Sequence, residues 1–187
     1  MSRSTHFTKT HRLLHWLAAM AMGVLFITGF LRMTWMAKKT VVKTIETQLP
    51  EANLEKEEMV GIAKSLLKPM WEYHEIAAYV MLWLLAIRIV YMAIKGIRFP
   101  NPFASRISTK ERLQGMIYVL FYIFVSMATI TGFYLMWGDG TYKEPMEAIH
   151  KWGLYWFPIF IFLHFAGIVI GELTSKKGIV SKMIGGE

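Results

Sequence analysis

Residues 150–164 read HKWGLYWFPIFIFLH, two histidines bracketing a run whose single charge is Lys151. The run lies in an apolar block, 152–170, about as long as the roughly 20 helical residues that cross a bilayer core. On one continuous helix, fourteen residues amount to roughly 21 Å of rise and ~40° of net rotation. His150 and His164 would then face one groove at opposite depths. An ionisable ring inside lipid is expensive and marks a functional site by default. A hydrogen-bonded packing residue is the plainer account of either ring alone.

Working outward, three further blocks of the same kind appear at 13–31, 76–94 and 113–137, and Arg88 is the single formal charge inside any of the four. The chain has 187 residues, of which 55% are hydrophobic and only 18% charged, against roughly 25% charged in soluble domains. So few charges would not cover the surface of a soluble domain this size. With no lipid partner for backbone amides, each block must be helical. The expected fold is an all-α membrane protein, a four-transmembrane-helix up-down bundle. It forms one domain over 1–187, with spans at about 13–32, 73–95, 113–137 and 149–171 and an outer loop at 33–72. The first block is too long, and lacks a small-residue cleavage site, to read as a signal peptide. The absence of cysteine excludes disulfides, thiolate metal sites, iron–sulfur clusters and covalently attached haem.

The formal charge of +8 gathers around the apolar blocks, which points to membrane topology and not to nucleic acid. Arg3, Lys9, Arg12, Lys95, Arg98, Arg106, Lys110, Arg112, Lys176, Lys177 and Lys182 put eleven cations in the arm, middle loop and tail. Nine lie in the other two loops, seven of them interleaved with glutamates between the first and second spans. The positive-inside rule then places both termini in the cytoplasm. Within the outer loop, Asn53, the glutamates after it and Pro69 predict a short amphipathic helix ending at the proline. That helix reads as a solvated surface element or as a docking surface for a partner.

The six histidines sort by depth. His6 lies in the polar arm. His11 and His15 share a face at the inner end of the first span. In an up-down bundle His15 comes to the depth of His164, and His74, at the start of the second span, to the depth of His150. This makes one facing pair near each membrane surface. Two neutral imidazoles across an apolar slot are what a non-covalent b-type haem requires for its iron. Zinc would need further ligands, and no carboxylate lies at the right depth. Arg88 stands fourteen residues beyond His74, at the depth of the inner pair. Its guanidinium would pair with a haem propionate, or serve as an interhelical hydrogen-bonding or snorkelling residue. The segment Ile27-Thr28-Gly29-Phe30 recurs as Ile130-Thr131-Gly132-Phe133. Gly29 and Gly132 either let something bulky and flat, such as the cofactor, approach the backbone or let helices pack closely.

At these residues the chain resembles the membrane cytochrome b subunits of nickel–iron hydrogenases and their bacterial dihaem relatives. The resemblance covers nearly the whole length. It rests on His15-Trp16 followed by Thr28-Gly29, on His74 with Arg88-Ile89, and on Ile130-Thr131-Gly132-Phe133. It is most specific at His150, Gly153, Trp156, His164, Glu172, Ser181, Met183 and Gly185. It implies two b haems in the bacterial inner membrane, with His74 and His150 as iron ligands nearer the periplasm and His15 and His164 nearer the cytoplasm. It further implies electron flow from a periplasmic redox enzyme or electron-transfer subunit, hydrogenase-like, through the outer and then the inner haem to a membrane quinone as substrate. A homodimer is left open. Some relatives carry a histidine where this chain reads Arg112-Leu113-Gln114. Gln114 suits a hydrogen bond to a quinone or propionate better than iron. Arg12, Gln114 and Arg88 are the candidates for a quinone pocket. His11 is an alternative to His15, which the adjacent Trp16 favours.

Other residues take plainer readings. Pro158 would kink the last span between its histidines. Glu72 and Glu75 are solvated, or one of them accepts the second ring proton of His74. Two other functions compete. A stand-alone superoxide:quinone oxidoreductase would need cations beside the outer site to steer the anion. Lys143 and Lys151 are available, offset by Asp139, Glu144 and Glu147. A haem-free membrane anchor or small transporter would use the histidines for packing alone.

Overall fold

In the computed structural model, residues 7–95, 100–174 and 177–186 are described. His6 and the cations Arg3, Arg98 and Lys176 lie outside them. Among the described residues the helices are α1 (Lys9–Met33), α2 (Lys38–Gln48), α3 (Lys56–Lys95), α4 (Thr109–Trp137), α5 (Lys143–Lys151), α6 (Gly153–Leu173) and α7 (Ile179–Ile184), with a 3₁₀ turn at Pro50–Ala52. No strand occurs among them. Four segments, α1, α3, α4 and Lys143–Leu173, are long and apolar enough to cross a membrane.

Local chemistry sets several helix ends. Ser108 and Glu111 close a capping box at the start of α4, the Ser108 hydroxyl accepting from the Glu111 amide at 3.2 Å and the Glu111 carboxylate from the Ser108 amide at 3.0 Å. Glu57 and Glu58 occupy the first turn of α3 and Lys95 its last, each matched in sign to the helix dipole.

Two expectations need correction. The helix that was to stop at Pro69 instead runs through it, so the outer-loop helix and the second span are one 40-residue α3. A proline removes one amide donor and crowds one carbonyl. The apolar stripe Met59, Ala63, Leu67, Met70, Ala77 and Met81 is buried on both sides of it, which holds the helix together. The last span, conversely, is not one helix from His150 to His164. Trp152 interrupts it, ending α5 and opening α6 with helical torsions (φ −59°, ψ −20°) but a tightened Trp152 amide to Ile149 carbonyl bond at 3.1 Å. Pro158 lies inside α6.

The chain divides into two compact units, Ala19–Met81 and Met1–Ala18 with Leu82–Glu187. In the first, the stripe along α3 supplies the core with Ala21 and Met22 of α1. In the second, α4 packs on α6 through stacked rings, Phe121 on Phe160 at 4.4 Å and Phe124 on Trp156 at 5.6 Å. α6 is apolar all round and buries only Gly171, with Phe162 72% and Leu173 75% exposed. Such a surface belongs in lipid. At the far end Glu172 accepts the Gly178 amide at 2.6 Å and the Ile179 amide at 3.0 Å, capping α7. Arg12 and Trp16 of α1 then donate to the Ile184 and Met183 carbonyls at 3.0 and 3.3 Å, so the tail is tied beside His15.

Candidate functional site

Begin with the imidazoles. In the second unit, His15 of α1 and His164 of α6 face each other, ring centroids 6.0 Å apart and planes 36° apart. No hydrogen bond joins them among those described. Two rings holding one metal from opposite sides stand roughly this far apart, since each metal–nitrogen bond takes about 2 Å and each ring nitrogen lies a little off its centroid. Phe160 stacks on His164 at 5.6 Å and Trp16 meets His15 edge-on at 5.5 Å. Both histidines are half-buried. His11 packs instead on Phe7 at 5.3 Å and near Tyr91 at 6.4 Å.

His150, at the end of α5, lies against α4. Its Nδ1 stands 3.0 Å from the Ala128 carbonyl and 3.2 Å from the Thr131 hydroxyl. A carbonyl only accepts, so Nδ1 carries the proton and Nε2 is the ring's acceptor. The Thr131 hydroxyl donates to the Met127 carbonyl at 2.8 Å and so meets His150 as an acceptor. Thr131 is the one buried polar residue among those described. Gly132 makes room for the ring: a methyl group there would sit 2.9 Å from His150 Cε1.

His74 of α3, in the first unit, has the same arrangement with the other copy of the repeat. Its Nδ1 lies 2.7 Å from the Thr28 hydroxyl, which donates to the Val24 carbonyl at 2.7 Å. With the hydroxyl proton given to Val24, Nδ1–H of His74 would donate to Thr28 and Nε2 would be the acceptor, the tautomer that His150 adopts. Gly29 lies beneath the ring, a methyl there falling 3.9 Å from Cε1, and Trp71 stacks on His74 at 5.3 Å with planes 7° apart.

Sequence reasoning singled out the glycines of this repeat and missed its threonines, although Thr28 and Thr131 were quoted beside them. It also offered Glu72 or Glu75 as the acceptor for His74. Thr28 takes that place, while Glu72 pairs with Lys68 at 3.6 Å on the surface.

Arg88 donates from Nε to the Tyr122 hydroxyl at 2.9 Å. Among the described residues no carboxylate pairs with it. Gln114 reaches Tyr118, one turn on, at 3.4 Å, and Arg12 is engaged with the tail. The three residues assigned to a quinone pocket thus each have their own partner. Along α4, an open apolar groove of about 610 Å³ runs from Tyr122 to Thr131 and is completed by Met146 and Ile149 of α5. Lys151, the other cation proposed to steer superoxide, is bound to Glu147 at 2.6 Å.

The model of one family, prokaryotic cytochrome b561, matches residues 6–186. The chain belongs to that family. It is a transmembrane b-type cytochrome of electron transfer, a multi-pass bacterial membrane protein whose family folds as a helical bundle and binds b haem. Comparison with curated proteins and with solved structures gives no match.

The residues present fit a b haem. Neutral imidazoles with Nδ1–H committed to oxygen acceptors present Nε2 to a metal, the usual arrangement of ligating histidines. An apolar groove lies beside one of them, and the Arg88 guanidinium, with which no carboxylate pairs among the described residues, would suit a propionate.

Proposed function

We propose that this cytochrome holds two b haems and carries electrons between a periplasmic redox enzyme, hydrogenase-like, and the membrane quinone pool. His15 and His164 ligate one iron. His74 and His150 ligate the other, a pairing that rests on their common depth along the sequence and on the matching Thr and Gly support of each ring. A b haem, where bound, would supply a one-electron iron carrier held by these histidines. The chain's own residues do the rest. Thr28, Thr131 and the Ala128 carbonyl hold the Nδ1 protons and so fix which nitrogen faces the metal. Phe160, Trp16 and Trp71 keep rings from turning. Arg88 neutralises a propionate. Both termini lie in the cytoplasm by the distribution of Lys and Arg.

The observation carrying this reading is the facing pair His15 and His164, 6.0 Å apart and without a bond to each other. The test of function uses purified protein in liposomes. Added quinol should reduce the haem, seen as growth of its reduced absorbance bands, and added quinone should reoxidise it. Haem that responds to dithionite but to neither quinol nor quinone would overturn the quinone assignment.

A further inference from the structure

The unit Ala19–Met81 contains a second concave feature, independent of the histidines. A pocket of about 370 Å³ is lined by Arg32 at the end of α1, Lys38 at the start of α2, and Lys64, Ser65, Lys68 and Trp71 of α3, over a floor of buried Leu67. Four cations converge on it. On α3, Lys64, Lys68 and Trp71 stand at i, i+4 and i+7, which puts those three on one helix face. Lys68 is shared with Glu72 at 3.6 Å. Among the described residues, Arg32, Lys38 and Lys64 enter no ion pair. A depression lined by four cations attracts an anion.

The level of the pocket identifies the anion. Arg32 is the first charge after the apolar block 13–31, and Trp71 precedes the block that begins at Ile76. Both therefore lie where hydrocarbon gives way to headgroups, and Trp is the residue that anchors at this boundary. The depression has room for a phosphate. Leu67 and Trp71 offer apolar contact where glycerol and acyl chain would follow.

We propose that this pocket binds the phosphate of an anionic phospholipid, such as phosphatidylglycerol, in the leaflet that α1 reaches at Arg32. Arg32, Lys38, Lys64 and Lys68 supply the charge and Trp71 the interfacial anchor, while the Ser65 hydroxyl donates to the Gly61 carbonyl at 3.1 Å and only lines the wall. Trp71 also stacks on His74, so the bound lipid would brace that ring. The assignment rests on the membrane spans and not on the haem reading.

The experiment uses full-length protein in mild detergent, exchanged with phosphatidylglycerol or phosphatidylcholine, washed, and examined by native mass spectrometry. Phosphatidylglycerol should survive the wash at least tenfold better. Neutralising two cations in R32Q/K64Q should lower its retention by on the order of tenfold or more, at about fivefold per cation. K64R, and the control K39Q/K43Q on exposed α2 positions outside the pocket, should retain it. Circular dichroism and gel filtration identify a variant that has failed to fold, in which case K64R against K64Q gives the same comparison. Equal retention of the two lipids, or undiminished retention by R32Q/K64Q, would overturn the proposal. Displacement of the lipid by millimolar inorganic phosphate would assign the pocket to a free anion instead. Failure to hold lipid combined with binding of polyglutamate would assign it to an acidic protein partner.

Discussion

Gly132 and Gly29 occupy equivalent places in the two copies of one repeat, yet their rings are seated at different distances. A methyl at Gly132 would come 2.9 Å from His150 Cε1, closer than carbon atoms tolerate, whereas at Gly29 it would stand 3.9 Å from His74 Cε1, an ordinary contact. Gly132→Ala should displace the His150 ring and lower the haem content of purified protein by about one per chain; Gly29→Ala should leave it nearly unchanged. Equal behaviour of the two would mean the glycines serve helix packing alone. The threonines act through hydrogen bonding. Removing the acceptor from Nδ1–H makes the imidazole a weaker donor to iron and raises the reduction potential of the bound haem. A hydrogen bond of about 1 kcal/mol corresponds to ~40 mV for one electron. Thr28→Val should show a shift of this size, and Thr28→Ser should reverse it. Thr131→Val should show less, because the Ala128 carbonyl remains 3.0 Å from His150 Nδ1. A redox titration reads both. At this scale the facing of His15 and His164 was legible, since a titratable ring in an apolar block stands out. The threonines were not, because both also bond carbonyls of their own helix, as threonine in a span ordinarily does. Nothing in their spacing announces a second partner.

Among elements, the spans were legible and the connections were not. Nineteen or more consecutive apolar residues in lipid admit one conformation, and each apolar block lies in helix. α2, with the sequence KKTVVKTIETQ, buries no residue and gives no stripe to read. Ser108 and Glu111 at the start of α4 carried a readable capping signal; Pro69 carried a misleading one, overridden by the buried stripe along α3. The turn between α4 and α5 has its own pH dependence. Asp139 accepts the Thr141 amide at 3.0 Å and the Tyr134 hydroxyl at 2.8 Å. These bonds, the Thr141 amide first, hold its carboxyl below the usual carboxylate value. A depressed pKa means the charged form is favoured in the folded turn. The turn's stabilisation is then complete above the ordinary value of about 3.9 and is lost as pH falls through the lowered one. A carboxyl-carbon NMR titration should place Asp139 below that ordinary value, and Thr141→Pro, which removes the amide donor, should move it back up. A midpoint at or above the ordinary value in the unaltered protein would contradict the hydrogen bonding described.

For the molecule as a whole, membership in the prokaryotic cytochrome b561 family agrees with what the apolar blocks and histidines suggest together. The central claim is that four histidines serve as two pairs. Haem per chain, measured by pyridine haemochrome on the purified protein and on His15→Ala, His164→Ala, His74→Ala and His150→Ala, tests it most directly. The account predicts two haems in the unaltered protein and about one in each variant. His15→Ala and His164→Ala should lose the same low-spin electron paramagnetic resonance signal, and His74→Ala and His150→Ala the other. Four variants that all keep two haems, or an unaltered protein that binds one or none, would contradict it.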